Sequence, residues 1–208
     1  MDSSSRKAEV GRRDRKKLVQ RRNIIHETMK AFKQYGFHQI TMEQIAELSD
    51  ISKATLYKYF PVKEAIIAAY WQEEMENTSD EFESLMTNNE DTKSRLVALL
   101  HFFMTRIMES RELYEIYIKY RTQNLYDENK NESLRSGAEA YVTRIIQEGQ
   151  KNLEIKDDVP TQILVSNFEM ISVMQAMIWL RQPESFSLEL TSTLLVDLFL
   201  NGAANHEK

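Results

Sequence analysis

Two helix-starting residues, Thr41 and Ser52, stand eleven positions apart in the stretch TMEQIAELSDISKATLYKYF. Thr41 is followed three residues later by Gln44, which makes a T-x-x-Q capping box, and Ile40 and Ile45 flank it as a hydrophobic staple. Ser52 repeats the device with Ile51 and Leu56 as its staple pair. Each cap therefore opens a helix, the first over about 42–48 and the second from 53 to Pro61, with Ser49-Asp50-Ile51 as the turn. Helices this short do not persist alone in water, because nucleation costs more than a few turns return. They must lie against a third, longer helix. The recurrence of Val19, Ile24, Ile25, Met29, Phe32 and Tyr35 supplies one, ending at Gly36.

The rest of the chain repeats helical periodicity without interruption by strands. Only five Gly and three Pro occur in 208 residues, too few for a loop-rich or all-β protein. The fold expected is all-α, of about nine helices, with further helices near 63–88, 92–109, 111–124, 131–153, 159–181 and 187–201. The domains expected are a basic disordered arm over 1–17, a helix-turn-helix domain over 18–62, and a larger helical domain over 63–208. Charge follows the same division. Residues 1–63 carry 14 Lys and Arg against 7 Asp and Glu, and the remainder 13 against 25, so a basic head joins an acidic body within a net charge of −5. A basic head is suited to a polyanion. The arm itself, Arg6 to Arg22, fits either phosphate tracking or a solvated tail.

Two short helices joined by a three-residue turn form a helix-turn-helix, whose second helix enters the major groove of B-DNA. With Leu56 and Phe60 facing inward, Lys53, Ala54, Tyr57 and Lys58 point outward and Thr55 lies in the first turn. Thr and Ala methyls suit a thymine methyl, and Lys reaches guanine O6 or N7. Tyrosine hydroxyls and free amides at a helix start bind phosphate. Thr41 sets one such helix start against the backbone, and Lys63, opening the next helix, offers a further phosphate contact.

The segment ISKATLYKYFPVKEAI resembles the signature of the TetR family of bacterial transcriptional regulators through Ile51, Ser52, Lys53, Ala54, Thr55, Leu56, Tyr57, Tyr59, Phe60, Lys63 and Glu64. Upstream, Ala31-Phe32, Gly36-Phe37 and Thr41 to Ala46 fit the first two helices of that family, so the resemblance spans about 22–70. It departs at Asp50, where the family usually has Gly. Asp tolerates the left-handed conformation better than most residues, so the turn is expected to keep its shape. It departs again at Pro61-Val62, where a capping Ser often stands.

The resemblance implies a homodimeric repressor. Its first three helices would bind double-stranded operator DNA through Thr41, Ser52, Lys53, Ala54, Thr55, Tyr57, Lys58, Tyr59 and Lys63. Its C-terminal domain would bind a small, largely apolar effector and dimerise through the last two helices. Phe102, Phe103, Tyr117, Tyr120, Tyr141, Phe168 and Met174 read either as plain core or as the lining of that pocket. Ile178, Leu194 and Leu198 belong to the surplus apolar surface that pairing would cover. The alternative reading is a helical DNA-binding regulator without a small effector, controlled by a protein partner.

Other classes find no residues to carry them. The absence of Cys removes disulfides, zinc fingers and thiol catalysis. His26, His38, His101 and His206 have no metal-ligand spacing, and no nucleophile, phosphate-loop or dinucleotide motif occurs. No enzyme, cofactor or metal site is expected. No unbroken run of 18 apolar residues and no apolar leader is present, so the expectation is a cytoplasmic protein without a membrane partner.

Overall fold

The computed structural model describes residues 11–124, 127, 136–182, 184 and 187–201. Among them are ten α-helices and one short 3-10 turn, with no strand. The chain divides into two compact units, with the boundary between Tyr70 and Trp71.

The first unit is built on α1 (Arg12–Tyr35), the 3-10 turn Phe37–Gln39, α2 (Met42–Leu48), α3 (Lys53–Tyr59) and the start of α4 (Lys63–Glu76). Helix α1 begins at Arg12, inside the segment expected as a disordered arm over 1–17; residues 1–10 lie outside the described residues. Asp14 in its first turn opposes the helix dipole favourably, and Gly11 accepts Arg15 N–H at 3.0 Å. The helix stops at Gly36, whose φ of 85° and ψ of 149° suit only a residue without a Cβ. Both short helices bury what their staples supply. Ile40, Ile45, Ala46, Leu56 and Phe60 are buried, as are Ile24, Ile25, Met29 and Phe32 of α1, and α2 packs on both α1 and α3.

The second unit holds the end of α4, α5 (Ser79–Asn88), α6 (Thr92–Glu109), α7 (Arg111–Gln123), α8 (Ala138–Lys151), α9 (Thr161–Arg181) and α10 (Leu188–Asn201). Helix α6 is central, packed against α5, α7, α8, α9 and α10. Its start is a second capping box, in which Asp91 accepts Ser94 N–H at 2.7 Å. The core joins Phe82, Leu96, Leu99, Ile145, Ile146, Phe168 and Val196 from five of these helices.

One expected helix is two. The run 63–88 breaks at Asn77-Thr78, between α4 and α5. Thr78 Oγ1 donates to the Met75 carbonyl at 2.8 Å, and so does Tyr141 Oη from α8, also at 2.8 Å. The Thr78 amide also donates to it, at 3.2 Å, so the Met75 carbonyl is held by three donors where the chain turns. The expected 131–153 helix starts later, at Ala138 after the left-handed Gly137 (φ 92°), while 128–135 lie outside the described residues.

By length and composition α9 is apolar enough to cross a membrane, although only 28% of that window is buried. One face, with Val165, Phe168, Ala176, Trp179 and Leu180, is packed into the core of this unit. The other face, with Ile163, Met170, Ile171, Met174 and Ile178, is exposed.

Candidate nucleic-acid interface and effector cavity

The turn between α2 and α3 is closed by two backbone bonds. Ile51 N–H donates to Ala46 O at 3.0 Å and Asp50 N–H to Glu47 O at 3.1 Å. This is the Schellman pattern, which demands a left-handed residue at the position after the cap. Asp50 fills it with φ of 53°. The departure from glycine therefore leaves the geometry intact.

Both caps are made. Thr41 Oγ1 accepts Gln44 N–H at 3.3 Å while Gln44 Oε1 accepts Thr41 N–H at 2.9 Å. Ser52 Oγ accepts Thr55 N–H at 3.2 Å and lies 2.8 Å from Thr55 Oγ1. Helix α3 buries only Leu56. Lys53, Ala54, Tyr57 and Lys58 are exposed, and Thr55 and Tyr59 half-buried. Lys53 is paired with the carboxylate of Glu43 on α2 and lies 5.9 Å from the Tyr57 ring centroid.

Lys63 is placed differently. Its Nζ donates to Phe37 O at 2.8 Å and Ile40 O at 3.1 Å and sits 4.1 Å from the Phe37 ring centroid. The ammonium is committed to the loop between α1 and α2, a role that the sequence reading missed. Arg21, from the basic stretch, lies over the Phe60 ring at 5.5 Å.

In the second unit a cavity of about 100 Å³ lies between α4, α6, α7, α8 and α9. Of the seven expected lining residues, Phe103, Tyr117 and Phe168 border it; Phe102, Tyr120, Tyr141 and Met174 do not. Phe102 instead lies under the Arg106 guanidinium at 3.9 Å, Tyr141 stacks on Phe82 at 4.1 Å, and Met174 is 53% exposed. The wall also contains Tyr114 and Glu169, which the sequence offered as possible pocket residues, and Trp71, Met75, Arg106 and Arg121, which it did not single out. One signal was available: Tyr114, Tyr117 and Arg121 recur at helical spacing along α7. Burial pushes the Tyr114 and Tyr117 phenols above their ordinary range, in Tyr117 against the opposing pull of Arg121. Burial thus favours the neutral phenol in both. Among the described residues no group of acidic and histidine side chains is arranged to hold a metal.

Ile178, Leu194 and Leu198 are exposed to 42%, 53% and 58%. With Met170, Met174 and Leu190 they form apolar stripes on α9 and α10 at helical spacing.

Two short capped helices joined by a three-residue turn, the second exposing Lys53, Ala54, Tyr57 and Lys58, in a chain whose described residues form helices and no strand, have the architecture of a helix-turn-helix protein. The model of the bacterial regulatory proteins of the tetR family matches residues 24–70, the segment that holds α2 and α3. The HTH-type transcriptional regulator RutR of Escherichia coli K12 is 42% identical over 60 residues, which cover 29% of this chain and only 28% of RutR. The uncharacterised HTH-type regulator YhgD of Bacillus subtilis is 26% identical over 193 residues, covering 88% of this chain and 93% of YhgD. In fold, the chain is similar to Thermus thermophilus FadR, a TetR family repressor solved with lauroyl-CoA. The TM-score is 0.76 at 18% identity, over 90% of this chain and 97% of that one. Bacillus subtilis FadR, solved with stearoyl-CoA, gives 0.67 at 20% identity, over 88% and 99%.

Proposed function

We propose that this chain is a cytoplasmic transcriptional repressor that binds a palindromic operator as a homodimer and releases it on binding a small, largely apolar effector. The observation that supports this most directly is α3. It is capped at Ser52, anchored by one buried leucine, and otherwise presents Lys53, Ala54, Tyr57 and Lys58 to solvent. Side chains idle as core are those a major groove engages. The reading head then lies in the unit that ends at Tyr70, with α1 starting at Arg12, rather than within 18–62, and the effector and dimerisation body is the unit from Trp71 onward rather than from 63.

The exposed stripes of α9 and α10 are the surface that pairing would cover, and a two-fold pair presents two heads to two half-sites about one helical turn apart. The cavity supports an effector with an apolar chain and an anionic group, because aromatic walls stand beside Arg121, with Glu169 and an Arg106 already paired with Glu81 nearby. Acyl-CoA thioesters, bound by two of the proteins of similar fold, have that chemistry. An effector acts only through unequal affinity for the DNA-competent and DNA-free states. A cavity of about 100 Å³ is below the ~300–1,000 Å³ of ordinary ligand pockets, so such a ligand would have to spread the helices. The same observation favours, as a second reading, control by a protein partner.

The test is selection of duplexes from a random library, followed by titration of the enriched duplex with acyl-CoA esters of increasing chain length. Enrichment of an inverted repeat, its loss in Tyr57→Ala with unchanged helix content, and release by one range of chain lengths are expected. No enrichment would overturn the DNA-binding reading. Enrichment without release by any ester would favour the partner-controlled one.

A further inference from the structure

Glu43 stands at the second position of α2 and Lys53 at the first position of α3. Their side chains meet as an ion pair across the turn, with exposures of 52% and 55%. Lys53 holds the Glu43 carboxyl below its ordinary range, and Glu43 holds the Lys53 ammonium above its own. The cation at the tip of the reading helix therefore already has an anion, a carboxylate where a phosphate would stand. Lys58, further along the same helix, has no ion-pair partner among the described residues. A carboxylate at this position is unfavourable for a surface that only needs to attract DNA, since it repels phosphate and neutralises a lysine.

We infer that Glu43 is a specificity-determining residue: it withholds Lys53 from sequence-independent phosphate attraction and releases it only where a base edge in the operator offers acceptors. This rests on the reading of α3 as the DNA-contacting helix. A free lysine gains from any phosphate by releasing counterions, whatever the sequence. A paired lysine exchanges one anion for another and leaves Glu43 facing the duplex, so random DNA gains little from it. At an operator the exchange is offset, because Lys53 meets guanine O6 and N7 while its neighbours engage the adjoining bases. Glu43 touches Lys53 rather than the operator, and so acts by positioning.

The experiment is a double-mutant cycle on the full chain, Glu43→Gln with and without Lys53→Gln. Its probes are a random-sequence 24-base-pair duplex and a duplex enriched by selection, each titrated across a range of salt concentrations. In Glu43→Gln, random-duplex affinity is expected to rise several-fold, and its salt slope to steepen by about 0.9, one more neutralised phosphate. Affinity for the enriched duplex rises less, so the specificity ratio falls. In the Lys53→Gln background the slope change disappears.

An equal rise with and without Lys53 would overturn the inference, because it would show only the loss of one negative charge. So would an unchanged specificity ratio, or weaker binding to both duplexes. Failure of the wild-type chain to bind either duplex would instead overturn the reading of α3 itself, and this inference with it.

Discussion

Lys63 Nζ donates to the carbonyl of Phe37 at 2.8 Å, tying the start of α4 to the loop that leads into α2. With the second bond, to Ile40 O at 3.1 Å, the ammonium fixes the residue immediately before the Thr41 cap. Lys63→Met keeps the apolar stem and removes both donors. It is expected to lower stability by about 1.5–3 kcal/mol, the usual worth of hydrogen bonds to a charged group, measured by urea denaturation. DNA binding should weaken without a change in salt slope. A slope lower by about 0.9 would instead place Lys63 on a phosphate.

Asp50 holds a left-handed conformation, φ 53°, that glycine adopts without steric cost. Asp50→Gly is expected to stabilise the protein by less than about 1 kcal/mol, since relief of the Cβ contact is partly offset by the greater freedom of the unfolded chain. Asp50→Ala should destabilise by a similar amount. Opposite signs in the two denaturation midpoints check the conformation directly.

Tyr141→Phe removes one of the three donors on the Met75 carbonyl while keeping the ring stacked on Phe82. A loss of about 1 kcal/mol is expected. Hydrogen exchange at the Asn77 and Thr78 amides should quicken more than exchange in the core of α6, because it is the α4–α5 break that the hydroxyl fastens.

Leu194→Glu places a charge in the exposed stripe of α10. If that stripe is the pairing surface, sedimentation should show the wild type as a dimer and this variant as a helical monomer. A variant that remains dimeric would move the interface elsewhere.

Asp91 caps α6 and Glu154 accepts Thr92 N–H at 2.6 Å. The Ser94 amide holds the Asp91 carboxyl below its ordinary range, and the Thr92 amide does the same for Glu154. Their folded values lie below the unfolded ones, so the stabilisation is present at neutral pH. It is lost as pH falls through the ordinary carboxylate range towards the depressed values. Asp91→Ala is expected to cost about 1 kcal/mol at pH 7, and the difference between the two melting temperatures should shrink by pH 3.

Local chemistry is what the sequence made legible. Thr41, Gln44 and Ser52 announce their helix starts because a cap acts on residues two or three positions away, and Asp50 could be placed because few residues accept its conformation. A local mark does stand at the break, the T-x-x-E pattern of Thr78 and Glu81, but continuous periodicity masks it. Helical periodicity continues through it without Pro or Gly, and one group that fastens it, the Tyr141 hydroxyl, lies 63 positions further along the chain. Lys63 escaped for the same reason, since its partners are 23 and 26 positions away. In the cavity, Phe102 and Phe103 are adjacent in sequence yet only Phe103 borders it. Composition showed that aromatics were available. Only helix rotation in the packed core decides which of them turns inward.

The cavity's volume of about 100 Å³ bears on what kind of sensor such a core makes. A chamber already roomy enough would admit its guest and stay silent, since nothing around it need move. A chamber too tight for its guest turns occupancy into displacement. Small apolar molecules that slip in without prying the helices apart would go unnoticed, and the shortest chain length that triggers release would measure the stiffness of the walls.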